Sequence, residues 1–186
     1  VSPVLALSAV ADDEQLRRRV LWAMPTVLGV LGSVGPDGTA HLMNVSWVTP
    51  VANGPTRLVA SVEVGSRSAA NLAATGAWAL SLLGLERREL GRAFVKPELD
   101  WRRDGEGESA QGHRVRRASG GAPYLEESVG VFAGVDARLL APLDEHALWL
   151  LSPREAGAVD ALRAGAASAR DVVVLSVQHT RMNYGR

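Results

Sequence analysis

Short apolar runs alternate with glycine- and proline-bearing polar clusters roughly every 8–12 residues along this chain, the punctuation of a protein built from strands. Residues 27–34 and 39–45 are apolar-rich and flank Gly35-Pro36-Asp37-Gly38, where proline fixes φ and glycine supplies positive φ; together they predict a β-hairpin. The segment MNVSWVTPV, 43–51, predicts a further strand, with Asn44, Ser46 and Val48 on one face and Val45, Trp47 and Thr49 on the other. Residues 57–64 alternate, with Leu58, Ala60, Val62 and Val64 on one face. A helix over 66–75, a strand over 78–83 and a helix over 86–94 follow.

Near the start, Asp12-Asp13-Glu14 reads as an acidic N-cap and first turn of an amphipathic helix with Leu16, Val20 and Ala23 inward, ended by Pro25. Residues 96–119 are charged and glycine-rich and predict a long loop, ordered by a ligand or a second subunit. Strand character returns over 129–140, 146–151 and 172–177, while 159–170 suits either helix or loop. Many strands and few helices predict a mainly β fold, a β-barrel with helical decoration. Closure is favoured because it removes the exposed edges of strands as apolar as VLGVLG. The length predicts a single domain over 13–186 behind a tail at 1–12.

Composition narrows the chemistry. The hydrophobic share of 47% and charged share of 22% disfavour a disordered or fibrous chain, and a net charge of zero disfavours a nucleic-acid surface. No cysteine is present, so disulfides, thiolate nucleophiles and cysteine-ligated zinc or iron–sulfur centres are excluded, and any redox chemistry falls to a bound cofactor. The N-terminal apolar run lacks a basic flank and no run reaches the ~20 residues that span a bilayer, which predicts no membrane partner and a cytoplasmic setting. The absence of Walker, GxGxxG, HExxH and GxSxG patterns argues against an NTPase, a Rossmann dehydrogenase, a zinc protease and an α/β-hydrolase.

Three segments carry candidate chemistry. Ser66, Arg67 and Ser68 open a helix, where serines serve equally as caps and as donors to an anion such as phosphate. Asn44 and Ser46 share a strand face, and Trp47 reads either as core or as a stacking partner. His146 enters an apolar strand behind Glu145, whereas His41, His113 and His179 belong to no pattern. Tyr124 and Leu125 read as a packed corner or as part of the floor of a ligand site, and Arg181, Tyr184 and Arg186 as a frayed tail or as polar groups reaching a neighbouring subunit.

The order Asn44-x-Ser46-x-x-Thr49-x-Val51, then Ser66-x-Ser68, then LGRAF ending at Phe94, Gly121-Ala122-Pro123-Tyr124-Leu125 and Glu145-His146 resembles the flavin reductase-like, FMN-binding split-barrel family. The resemblance implies a split barrel and a homodimer with flavin at the subunit interface. It implies hydride transfer from NADH or NADPH to FMN or FAD, and a partner monooxygenase that takes the reduced flavin. By the same resemblance Asn44, Val45, Ser46, Trp47 and Thr49 lie along the flavin ring, Ser66, Arg67 and Ser68 hold its phosphate, Phe94 adds a contact, and His146 faces the nicotinamide as the catalytic group. Pro50 stands where family members have serine, removing a backbone donor, and Leu151 and Ser152 stand where a small residue and an acid are usual. These departures keep an alternative open, a flavoprotein electron carrier or sensor with tightly bound FMN. A deazaflavin- or haem-binding protein of the same fold is a further alternative.

Overall fold

The computed structural model describes residues 20–21, 24–95, 98–105, 107–165 and 174–176. They fall into two units, Val27–Val173 and Val1–Thr26 with Val174–Arg186. In the smaller unit β1 (Pro25–Val27) pairs with β15 (Val174–Ser176), which lies within the strand expected over 172–177, the rest of that range being outside the described residues. Val20 and Leu21 are helical, but Val20, expected inward, is exposed. The rest of the expected N-terminal helix, with Leu16 and Ala23, and the tail with His179, Arg181, Tyr184 and Arg186 lie outside the described residues.

The larger unit is mainly β and contains three antiparallel sheets. β2 (Gly29–Val34), β3 (Ala40–Val45), β6 (Trp78–Leu82), β11 (Gly130–Gly134) and β14 (Glu155–Ala158) form one in the order β14-β11-β6-β2-β3. The second, β12-β13-β5-β4, uses β4 (Val48–Asn53), β5 (Thr56–Glu63), β12 (Arg138–Pro142) and β13 (His146–Leu151). The third, β10-β9-β8-β7, uses β7 (Trp101–Asp104), β8 (Gly107–Ala110), β9 (His113–Arg117) and β10 (Pro123–Leu125). Each is a separate ladder, and no single closed ring of strands joins them among the described residues.

Local chemistry accounts for the first hairpin. Asp37 accepts from the Thr39 backbone N–H at 2.9 Å and from its hydroxyl at 2.8 Å, which pulls the Asp37 pKa below its ordinary value, and Gly38 supplies φ of +80°. The main core forms where Leu31, Val45, Trp78 and Leu80 of the five-stranded sheet meet Leu58, Ala60, Val62, Ala147, Trp149 and Leu151 of the second sheet, with Leu72 of helix α1 (Arg67–Thr75) among them. On the opposite face of the five-stranded sheet a smaller core of Val34, Ala77, Ala79, Ala118, Ala122 and Ala133 packs with Tyr124. There β10 crosses β2 so closely that a Cβ on Gly32 would stand 1.7 Å from the Pro123 carbonyl oxygen. The Leu125 N–H donates to Ser81 Oγ at 3.0 Å beside that crossing.

Five expectations change. The strand over 43–51 is interrupted at Ser46 and Trp47, because β3 and β4 belong to different sheets and the chain turns a corner between them. Residues 129–140 divide into β11 and β12 for the same reason. Val64, expected on the core face, lies past the end of β5 and is exposed. The helix over 86–94 is a 3₁₀ turn (Leu85–Arg87) followed by the single turn α2 (Leu90–Ala93). The largest change concerns 96–119, which holds β7, β8 and β9 rather than one long loop. Cross-strand charge pairs hold these polar strands together: Glu108 accepts from Arg103 and, at 2.7 Å, from Arg117, and only Ala110 and Val115 are buried along them. Within 159–170, α3 (Asp160–Arg163) is helical.

Candidate functional site

β5 ends where α1 begins, and Gly65, at φ +82°, makes the turn between them. Ser66 then takes an extended conformation and caps the helix, its Oγ accepting from the Ala69 N–H at 3.1 Å. The first turn carries no acid, and Arg67 is exposed without a carboxylate partner among the described residues. Free N–H groups, a hydroxyl and a guanidinium therefore converge at the positive end of a helix dipole, the chemistry that accepts a phosphate.

Ser68 is placed differently from the expectation. Fully buried, its hydroxyl lies 3.5 Å from Ser33 Oγ on β2, and Asn71 Nδ2 donates to the same Ser33 oxygen at 3.1 Å. The helical turn that presents Ser66 and Arg67 outward turns Ser68 inward onto the sheet. Of the two serines, only Ser66 stands where a ligand has access.

His146 lies at the same end of the second sheet. It pairs with Glu63 across β13 and β5, and the Val64 N–H donates to the Glu145 carbonyl at 3.0 Å, so the histidine enters its strand just where β5 leaves for α1. Its half-buried ring lies 5.1 Å from the Trp47 ring at a 44° tilt. Trp47 is 40% exposed, so its reading as core is replaced by that of a surface ring against His146. Its carbonyl accepts from the Ser61 N–H at 2.9 Å, which fixes the corner between β3 and β4. Thr49 and Pro50 are exposed on the edge strand β4, and Ser46 is half-buried at the corner.

The remaining candidates are engaged in packing and hydrogen bonds within the protein. Val45 is a core residue. Asn44 Nδ2 donates to the Gly91 carbonyl and its backbone N–H to the Phe94 carbonyl at 3.4 Å, tying β3 to α2, while Asn44 Oδ1 is buried without a partner among the described residues. Phe94 is buried, its ring 6.1 Å from that of His113. His113 Nδ1 in turn meets Glu127 Oε2 at 3.0 Å. That histidine–carboxylate pair was hidden in the sequence, because His113 sits in the stretch read as loop.

His41 is a second histidine that belongs to no sequence pattern yet stands near the site. It is buried opposite Ser33, and its Nδ1 has no partner among the described residues. Burial, and after it the Arg67 charge, pushes its pKa below the ordinary 6.5. The unfolded chain therefore binds the proton more readily, so the contribution of neutral His41 is fully present above the ordinary value and is lost as pH falls from there through the lower folded-state value. Urea unfolding of the wild type is expected to lose stability more steeply than that of His41→Gln as pH falls below the ordinary histidine value. Equal slopes would remove His41 as a source of acid sensitivity.

Residues 21–166 match the flavin reductase like domain, and the chain belongs to that family. No curated protein matches it in sequence. Among solved structures it is similar to the NADH:FAD oxidoreductase SgcE6 of Streptomyces globisporus, at 22% identity and a TM-score of 0.67 over 96% of this chain and 91% of that one. It is also similar to the styrene monooxygenase flavin reductase of Pseudomonas putida S12, at 20% identity and 0.62 over 77% and 86%. A flavin reductase domain protein from Arthrobacter aligns at 17% and 0.65 over 78% and 85%. These likenesses establish the fold. Among the described residues, no helix is long and apolar enough to cross a membrane.

Proposed function

We propose that this chain is a reductase that takes hydride from NADH or NADPH and delivers it to FMN or FAD. The observation that carries the proposal is the convergence, at one end of the second sheet, of the acid-free N-terminus of α1 with the His146 ring lying against an exposed Trp47. Flavin, when bound, supplies the hydride acceptor that a chain without cysteine lacks. Ser66, Arg67 and the first N–H groups of α1 would hold its phosphate. The corner at Ser46 and Trp47 and the edge at Thr49 offer hydroxyls and an aromatic face to its ring. Asn44 Oδ1, buried and without a partner among the described residues, would accept an N–H donor from the ring. His146, held between Trp47 and the ladder to β5, orients the nicotinamide by a hydrogen bond from its ring.

Two comparisons support the finer points. One solved structure is SgcE6 in complex with NAD and FAD fragments, similar to this chain at 21% identity and a TM-score of 0.67 over 94% of each chain. The reductase from Pseudomonas serves a styrene monooxygenase, which favours an oxygenase as the consumer of the reduced product here.

Anaerobic stopped-flow mixing with NADH or NADPH tests the reading directly. His146→Ala is expected to leave flavin affinity nearly intact and to slow flavin reduction ~10²-fold, the scale of losing an acid–base or orienting group. Equal rates would demote His146 to a strand-end residue. Absence of reduction in the wild type would favour the electron carrier instead.

A further inference from the structure

The second sheet carries a further cluster at the end opposite His146. Alternation along β13 places His146, Leu148 and Leu150 on one face, with Glu63, Ser61 and Val59 opposite them on β5, while Ala147, Trp149 and Leu151 turn into the core. Arg138 opens β12 opposite Leu150, and Arg57 lies two residues from Val59, so both arginines share the face that bears His146. Together with Asp136, Ala137, Leu150 and Ser152 they line a cavity of about 280 Å³. From His146 to Leu150 the strand advances four residues, ~13 Å.

The charge at this cavity is uncompensated. Asp136 is taken up by Arg154 at 3.1 Å. Arg57 is half-buried and spends one N–H on the Thr56 carbonyl at 2.9 Å, and neither Arg57 nor Arg138 has a carboxylate partner among the described residues. Two guanidiniums flanking the apolar Leu150 attract an anion attached to something flat or apolar, and their forked donors suit phosphate better than a lysine would. Resting on the reductase reading, which sets the nicotinamide beside His146, we propose that Arg57 and Arg138 bind a phosphate at the adenylate end of the nicotinamide nucleotide. The cavity thereby selects dinucleotides over mononucleotides. Two phosphates offer the same chemistry, the 2′-phosphate of NADPH and the diphosphate bridge.

Calorimetric titration of wild type, Arg57→Gln, Arg138→Gln and the double variant with NADP⁺, NAD⁺ and FMN separates them. Arg138→Glu, an exposed charge reversal, provides a variant with little bearing on folding. NADP⁺ affinity is expected to fall ~10-fold for each arginine lost while FMN affinity stays as in the wild type. A fall confined to NADP⁺ assigns the 2′-phosphate; a fall shared by NAD⁺ assigns the diphosphate. Unchanged affinity for both nicotinamide nucleotides, or an equal fall for FMN, overturns the proposal and leaves the reductase reading standing. A wild type that binds FMN but neither nicotinamide nucleotide overturns it as well. If the wild type binds NADP⁺ but not FMN, and the arginine variants still lose NADP⁺, the cavity assignment holds and the flavin reading falls.

Discussion

Replacing Ser66 by glycine and Arg67 by alanine in one chain is expected to weaken FMN binding by ~10²-fold or more while barely changing the affinity for riboflavin. Each residue offers one donor to a charged phosphate, and such hydrogen bonds are worth about 1.5–3 kcal/mol apiece. Glycine is chosen at Ser66 because the side chain also caps α1, and an N-cap glycine costs only a few tenths of a kcal/mol where alanine costs ~1. Riboflavin lacks the phosphate, so quenching of flavin fluorescence by the two ligands separates a lost phosphate grip from a damaged ring pocket. Ser68→Ala supplies the contrast: its hydroxyl faces Ser33 inside the packing, so the FMN-over-riboflavin preference should survive that change. A folded Ser66/Arg67 variant with the wild-type preference would place the phosphate elsewhere.

Gly32→Ala should destabilise the chain by ~3 kcal/mol or more, measured by urea unfolding. The added methyl would sit 1.7 Å from the Pro123 carbonyl oxygen and 2.8 Å from its carbon. Both are backbone atoms, so relief requires β10 to lift from the five-stranded sheet, at the expense of the Leu125 to Ser81 hydrogen bond and of the contact between Tyr124 and the smaller core. Gly157→Ala is the control, since a Cβ there meets nothing within 4 Å. A loss below ~1 kcal/mol at Gly32 would mean that β10 does not cross β2 as closely as described.

How much of the protein was legible beforehand depends on how local the decisive chemistry is. The first hairpin, α1 with its Ser66 cap, β6 and the start of β13 at His146 all rest on residues within one or two turns of each other, and alternation or capping patterns reveal them. The hairpin strands of 96–119 were missed because their order comes from charge pairs such as Glu108 with Arg117, nine residues apart, while their faces stay polar and show little hydrophobic period. Ser46 and Trp47 read as mid-strand because residue alternation carries no sign of a chain leaving one sheet for another.

The sequence by itself determined that this is a mainly β chain without cysteine chemistry, with a helix opening at Ser66 and Glu145-His146 following it in the family's order. Tertiary structure decided which of those groups meet. It turned Ser68 inward, brought Trp47 onto His146, set His41 behind Arg67, and gathered Arg57 and Arg138 about one cavity. The physical reason is that capping and alternation act over a few residues, whereas the contacts that assemble a site depend on strand register and on which face a sheet turns toward its neighbour, and residues far apart in sequence fix both.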